Sequence, residues 1–145
     1  MHWLLKDAVS DELERGGYEL YFEPWESPMK RLSWSFYRPD VFGVSVKEEE
    51  LKMVFAECET EPNISKVYNK TSKIRRWLSF QKKLCEKHDL CFLLVIPSGK
   101  LRRVNTSSVR RLWTIWIMND HGAIFHKIPR TTAFSSRPNF NRDNS

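Results

Sequence analysis

The sequence predicts an α/β fold, a sandwich in which a central mixed β-sheet is flanked by helices. Three observations carry this reading. Residues 3–15 and the stretch from Asn63 to His88 place apolar side chains at helical spacing. Cys91–Pro97 is short and continuously apolar, as a strand covered on both faces should be. Alternating apolar runs bounded by short polar turns occupy much of the remainder.

Each element has its own signal. Leu5, Ala8, Val9 and Leu13 set the first helix, from Trp3 to Arg15, and Gly16-Gly17 stops it where left-handed backbone is easy. Tyr18–Glu23 mixes alternation with aromatics and reads as a strand, closed by Pro24 and Pro28, with a loop over residues 24–33. Leu32–Phe36 alternates apolar and small polar residues and reads as an edge strand leading into Arg38-Pro39-Asp40. The runs Val41–Val46 and Leu51–Glu59 flank the charged Lys47–Glu50 and read as a hairpin.

Pro62 suits a first helical turn, after which Ile64, Val67, Thr71, Ile74, Leu78 and Cys85 recur at spacings of three, four and seven. This is the longest predicted helix, ending near His88. Beyond the buried strand, Thr106 or Ser107 caps a short helix to Leu112, and Trp113–Met118 is a strand. Asn119–Gly122 turns the chain into a peripheral last strand, Ala123–Ile128. Residues 1–128 thus form one domain. The Ser-, Asn-, Arg- and Thr-rich residues 129–145 are expected to be a flexible, basic and polar tail.

With 145 residues, 41% of them hydrophobic, the chain can bury a core, which excludes a wholly disordered or low-complexity protein. It should fold alone or as a homodimer. The formal charge of +6 favours a polyanionic partner. That figure conceals a split, because residues 1–60 hold 7 basic and 13 acidic side chains and residues 61–145 hold 17 and 5. No stretch is apolar enough for a signal peptide or a membrane span, and three cysteines are too few for a secreted disulfide framework, so a cytoplasmic location without membrane contact is expected. Cys85, His88 and Cys91, with Cys58 as a fourth ligand, have the donors for zinc, but the apolar setting of Cys85 and Cys91 favours buried thiols.

The hairpin brings carboxylates together. If Lys47–Glu50 is a four-residue loop, Asp40 lies opposite Glu57, and Glu59, two residues on, points to the same side. Like charges that close raise each other's pKa unless a cation neutralises them, and hard oxygen ligands favour Mg²⁺ or Mn²⁺. The alternative is a frayed hairpin end with carboxylates in water, since a one-residue slip moves Glu57 to the opposite face.

The order of elements around Pro39-Asp40 and Glu57-Cys58-Glu59 resembles the PD-(D/E)xK nuclease superfamily, the restriction-endonuclease-like fold. The resemblance spans roughly residues 3–118. It implies a restriction-endonuclease-like sandwich, with Asp40 and Glu57 as metal ligands. Glu59 stands where the family usually has a lysine, which orients or activates water and stabilises phosphate charge. Some restriction enzymes of the superfamily carry Glu there and remain active, so Glu59 is assigned as general base or third metal ligand. Gly17-Tyr18 is similar to a turn in the Holliday-junction-resolvase branch, where an acid on the first helix assists. Glu12 and Asp11 are the candidates here, set against an ordinary solvated helix surface.

A displaced lysine is a further expectation. Lys66, Lys70 and Lys73 fall at helical spacing on a face opposite Ile64 and Val67, and Lys66 is nearest the carboxylates in sequence. Lys70, Lys73, Arg76, Lys100, Arg102 and Arg103 fit a groove for a phosphate backbone. Trp77, Trp113 and Trp116 occupy apolar periodic positions and are read as core. The expected function is a Mg²⁺- or Mn²⁺-dependent nuclease acting on DNA and leaving, by the resemblance, a 5′-phosphate. Two rivals stand beside it. One is a non-catalytic nucleic-acid-binding module in which Thr106–Leu112 and the hairpin Trp113–Ile128 act as recognition helix and wing. The other is a degenerate nuclease fold that serves as an assembly subunit.

Overall fold

The computed structural model describes residues 1–27, 29, 34, 37–47, 50–81, 83, 86 and 88–131. Helix α1 is His2–Arg15. The strands are β1 (Glu19–Tyr21), β2 (Val41–Lys47), β3 (Glu50–Cys58), β4 (Asp89–Pro97), β5 (Trp113–Met118) and β6 (Ile124–Ile128). Helix α2, Ile64–Ser79, crosses from β3 to β4, and the one-turn helix α3, Ser107–Arg110, precedes β5. The sheet runs β1-β2-β3-β4-β5-β6 in space. Its centre, β3-β4-β5, is parallel, and the outer pairs are antiparallel. This is the mixed-sheet α/β sandwich that the sequence predicts.

The layers follow from strand alternation. Val54, Ala56, Cys58, Leu93 and Val95 face Leu5, Ala8, Val9 and Leu13 of α1. Met53, Phe55, Phe92, Leu94 and Ile96 face Val67, Ile74 and Trp77 of α2. The second layer is aromatic: Trp34, Phe42, Phe55, Trp77, Phe92 and Trp113 form a chain of ring contacts at centroid distances of 4.8–6.3 Å. Trp77 and Trp113 are therefore core, and Trp116 is half-buried.

Several boundaries differ from expectation for identifiable reasons. α1 stops where predicted, with Gly17 at φ 91° and the Tyr18 N–H bonded to the Leu13 carbonyl. The hairpin strands run to a Lys47–Glu50 pair, so the connection is shorter than four residues. Trimming a loop equally at both ends leaves the register unchanged. α2 ends at Ser79 and does not continue to His88. The Ser79 hydroxyl bonds back to the Arg76 carbonyl, and the Phe80 and Gln81 N–H groups take the tighter three-residue bonds to Trp77 and Leu78. α3 is capped by the Thr106 hydroxyl but is one turn long, with Val109 buried, and β5 is interior to the sheet. The predicted hairpin forms as the antiparallel pair β5–β6, with β6 at the edge of the sheet. The predicted strand Leu32–Phe36, apart from Trp34, and the tail beyond Thr131 lie outside the described residues.

Among the described residues no helix is long and apolar enough to cross a membrane. Cys58 and Cys91 are free thiols on neighbouring strands, four residues apart by register, about 13 Å at the strand rise. They cannot share one ion, and burial pushes both thiols up, Cys91 to about 11. Cys85 lies outside the described residues.

Candidate functional site

The site forms at the carboxyl ends of the parallel strands β3 and β4, where the amino end of β2 meets them. This is the edge at which open α/β sheets place ligands. Met53, Phe55 and Glu57 share one face of β3; the first two enter the aromatic layer, and Glu57 lies at its margin, only 3% exposed. The buried Tyr37 hydroxyl donates to Glu57 Oε2 at 3.0 Å. The Tyr37 ring is held against Phe55 and Trp77, 6.3 and 5.3 Å away. Lys70 Nζ donates to Glu57 Oε1 at 2.9 Å and lies 3.3 Å from Glu59 Oε2. Both glutamates therefore look to the α2 side, as the strand period requires.

Burial pushes the Glu57 carboxyl up to about 6, with the Lys70 ammonium pulling it down and Asp40 pushing it further up. Burial also opposes the Lys70 charge. The carboxylates of Glu57, Glu59 and Asp40 outweigh that effect and hold the ammonium above its ordinary value. Lys70 is thus a fixed cation near neutral pH. The Tyr37 hydroxyl is held far above the usual phenol range by burial and by Glu57, so it acts as a donor.

Asp40 lies one step beyond the ladder. The β2–β3 register begins at Val41 opposite Ala56, and continuing it would set Asp40 against Glu57. Instead the Asp40 N–H bonds to the Ala56 carbonyl at 2.9 Å, and Asp40 Oδ2 accepts the Cys58 N–H at 2.8 Å. His2, at the start of α1, places Nε2 3.4 Å from the same oxygen. The three carboxylates meet at one end of the sheet, with Asp40 turned towards α1 and the two glutamates towards α2.

The other predicted residues are distributed unevenly. Lys66 does not reach the carboxylates; its Nζ bonds to the Glu61 carbonyl at 3.0 Å. Lys73 and Arg76 are exposed on α2, so of the three lysines only Lys70 turns inward. Lys100 and Arg103, in the turn after β4, both pair with Glu61, and Arg102 is exposed beside them. Glu12 is engaged by Arg15 and Lys127. It lies ten residues from His2 along α1, about 15 Å at the helix rise, and Asp11 is exposed next to it. Glu12 also borders a cavity of about 350 Å³ lined by Tyr18, Cys91, Leu93 and Trp116, on the face of the sheet opposite Glu57. Neither acid reaches the site.

Tyr37 and His2 are missed by sequence reasoning, and the inward turn of Lys70 had a readable signal. Lys70 falls three residues after Val67 and four before Ile74, inside the buried stripe of α2. A lysine in a core position of an amphipathic helix needs a partner, and here it has two. Tyr37 carries no such pattern.

The fold and this site together define an α/β sandwich with a buried, lysine-paired carboxylate at the carboxyl ends of its parallel strands. No protein-family model matches the chain, and no curated protein matches its sequence. Among solved structures, the chain is similar to the crystal structure of an XisH family protein from Nostoc punctiforme, with 16% identity and a TM-score of 0.48 over 88% of this chain and 97% of that one.

Proposed function

We propose that the protein is a metal-dependent nuclease that hydrolyses phosphodiester bonds, with DNA as its substrate, on a restriction-endonuclease-like scaffold. The observation that carries this reading is the imbalance at the site. Glu57 and Glu59 share one ammonium, Lys70, with Asp40 at the same end of the sheet, and Glu57 is buried at a cost that packing alone does not require.

The donor set fits the implied ion. All three carboxylates are hard oxygen ligands, and each Glu57 oxygen keeps a second lone pair beyond its bond to Tyr37 or Lys70. Among the described residues no group of three or more acidic, His or Cys side chains is placed to hold a metal ion. With Asp40 on the α1 side and the glutamates on the α2 side, an ion here would take most of its ligands from water and phosphate, as Mg²⁺ does. Asp40 and Glu57, with Glu59, would hold Mg²⁺ or Mn²⁺, which when bound supplies charge neutralisation at the phosphate and a more acidic water.

The protein's own groups have distinct tasks in this reading. Lys70 replaces the lysine absent at Glu59: it stays protonated and places a fixed positive charge for the oxygens of the scissile phosphate. Glu59, paired with Lys70 at 3.3 Å, would serve as the third oxygen ligand. Tyr37 holds Glu57 in one rotamer. Lys73, Arg76, Lys100, Arg102 and Arg103 give the backbone contacts, which carry salt-dependent affinity and little base specificity.

The test is Mg²⁺- and Mn²⁺-dependent cleavage of duplex, single-stranded and branched DNA and of RNA by wild type and Asp40→Ala. Wild type is expected to cut and Asp40→Ala to bind without cutting; a variant that cuts like wild type removes Asp40 from the site. One observation favours a second reading, a nuclease fold kept for binding or assembly: Asp40 and both glutamates are already engaged by protein donors. Calorimetry with Mn²⁺ decides, since binding that disappears in Asp40→Ala and Glu57→Gln excludes it.

A further inference from the structure

Three cations converge on one exposed acid at the carboxyl ends of β3 and β4. Glu61 follows β3 by three residues, and Lys100 follows β4 by three. Lys100 Nζ is 3.1 Å from Glu61 Oε2, and Arg103 Nη1 is 3.4 Å from Oε1. Lys66 Nζ, from the first turn of α2, takes the carbonyl of the same residue at 3.0 Å. The Glu61 side chain remains 64% exposed while Lys100 is 26% exposed, so the acid sits on top of the cations and can swing away into water. Lys100 first, then Arg103, hold its carboxyl below the ordinary range.

A surface carboxylate with one lysine would be an ordinary ion pair of little consequence. Here two cations face one carboxylate and a third is held at the same residue's backbone carbonyl, so a phosphate that displaces the carboxylate meets three donors in place of two. A carboxylate and a phosphate oxygen pair accept from Lys and Arg in the same way. We propose that Lys66, Lys100 and Arg103 form a phosphate-binding site next to the hydrolytic centre, and that Glu61 occupies it in the free protein as a built-in competitor displaced by the substrate strand. The identification of the ligand as a backbone phosphate of the strand to be cut rests on the nuclease reading; the anion site itself does not. The competitor has a purpose: it weakens attachment to stray anions, and a ligand that supplies several phosphates at once overcomes it.

The experiment measures binding of a fluorescein-labelled 20-nucleotide single strand and of the corresponding duplex by anisotropy in EDTA, where no cleavage occurs, with inorganic pyrophosphate as a second probe by calorimetry. Glu61→Gln is expected to tighten binding of these probes three- to tenfold, and Lys100→Ala/Arg103→Ala to weaken it by at least tenfold. In the triple variant the gain from Glu61→Gln should vanish, because the competitor has nothing left to release. A gain that persists there reflects long-range charge and overturns the proposal, as do unchanged binding in Glu61→Gln and failure of wild type to bind any of the probes. Matching thermal melts show that the variants fold. A protein that shows this binding pattern but cuts nothing in the cleavage screen refutes the nuclease reading and leaves the anion site standing.

Discussion

The two faces of the sheet are built on different terms. The α1 face joins Leu5, Ala8, Val9 and Leu13 to Val54, Ala56, Leu93 and Val95 in an apolar layer. The α2 face is larger and aromatic, yet at its margin it admits a glutamate, a lysine and a tyrosine hydroxyl that bond to one another. An apolar layer is stabilised by burial alone. Ionisable groups beside it oppose folding unless each is paired, and even a good pair seldom exceeds an apolar replacement in stability. The contrast teaches which part of the molecule is held together by more than apolar burial.

Truncation on the α1 face should show the plain side of this contrast. Leu93→Ala removes a side chain only 1% exposed, and urea or thermal unfolding should report a loss of roughly 2–5 kcal/mol. Mn²⁺ binding should survive wherever the variant folds. If metal binding falls in step with stability, the faces are not functionally distinct.

Glu57→Gln should do the reverse. Cleavage is expected to fall at least about 100-fold, while stability near neutral pH holds or rises. The sign follows from the raised carboxyl. The folded chain holds this proton more tightly than the unfolded one, so the contribution is fully present below pH 4.5 and is lost as pH rises through about 6. Its whole extent is about 2 kcal/mol. Stability measured against pH should carry this downward slope in wild type and lack it in Glu57→Gln. A glutamine variant that is clearly less stable at pH 7 would make Glu57 a structural residue.

Lys70→Ala should destabilise by about 1–2 kcal/mol, less than for a fully buried pair, because its side chain is 33% exposed. It should also move the Glu57 carboxyl higher, visible by carbon-detected NMR titration. Smallest of all, Tyr37→Phe removes one buried bond to a charged group and should cost about 1.5 kcal/mol. Its cleavage should suffer more in kcat than in KM for DNA, since the tyrosine positions a ligand and touches no substrate.

The legible part of the molecule was what periodicity encodes. Helical spacing of Leu5, Ala8, Val9 and Leu13 placed α1, and the hairpin arithmetic gave the register that pairs Val41 with Ala56. It failed at Asp40, because a side chain that caps the Cys58 N–H takes the chain out of the ladder, and no alternation records such a bond. On α2 the three lysines looked equivalent when only their mutual spacing was considered. Set against Val67, Ile74 and Trp77, Lys70 alone lies in the buried stripe. Tyr37 and His2 come from a loop and a helix start, where tertiary packing decides position and sequence pattern is silent.

The central claim is that Lys70 supplies from the helix the charge that Glu59 does not supply from the strand. Initial rates of Mg²⁺-dependent cleavage by wild type, Lys70→Ala and Lys70→Ala/Glu59→Lys test it most directly. The expected result is cleavage by wild type, a loss of at least about 100-fold in Lys70→Ala, and recovery of a tenth or more of the wild-type rate in the double variant. Lys70→Ala cutting as fast as wild type, or no variant cutting any substrate, would contradict it.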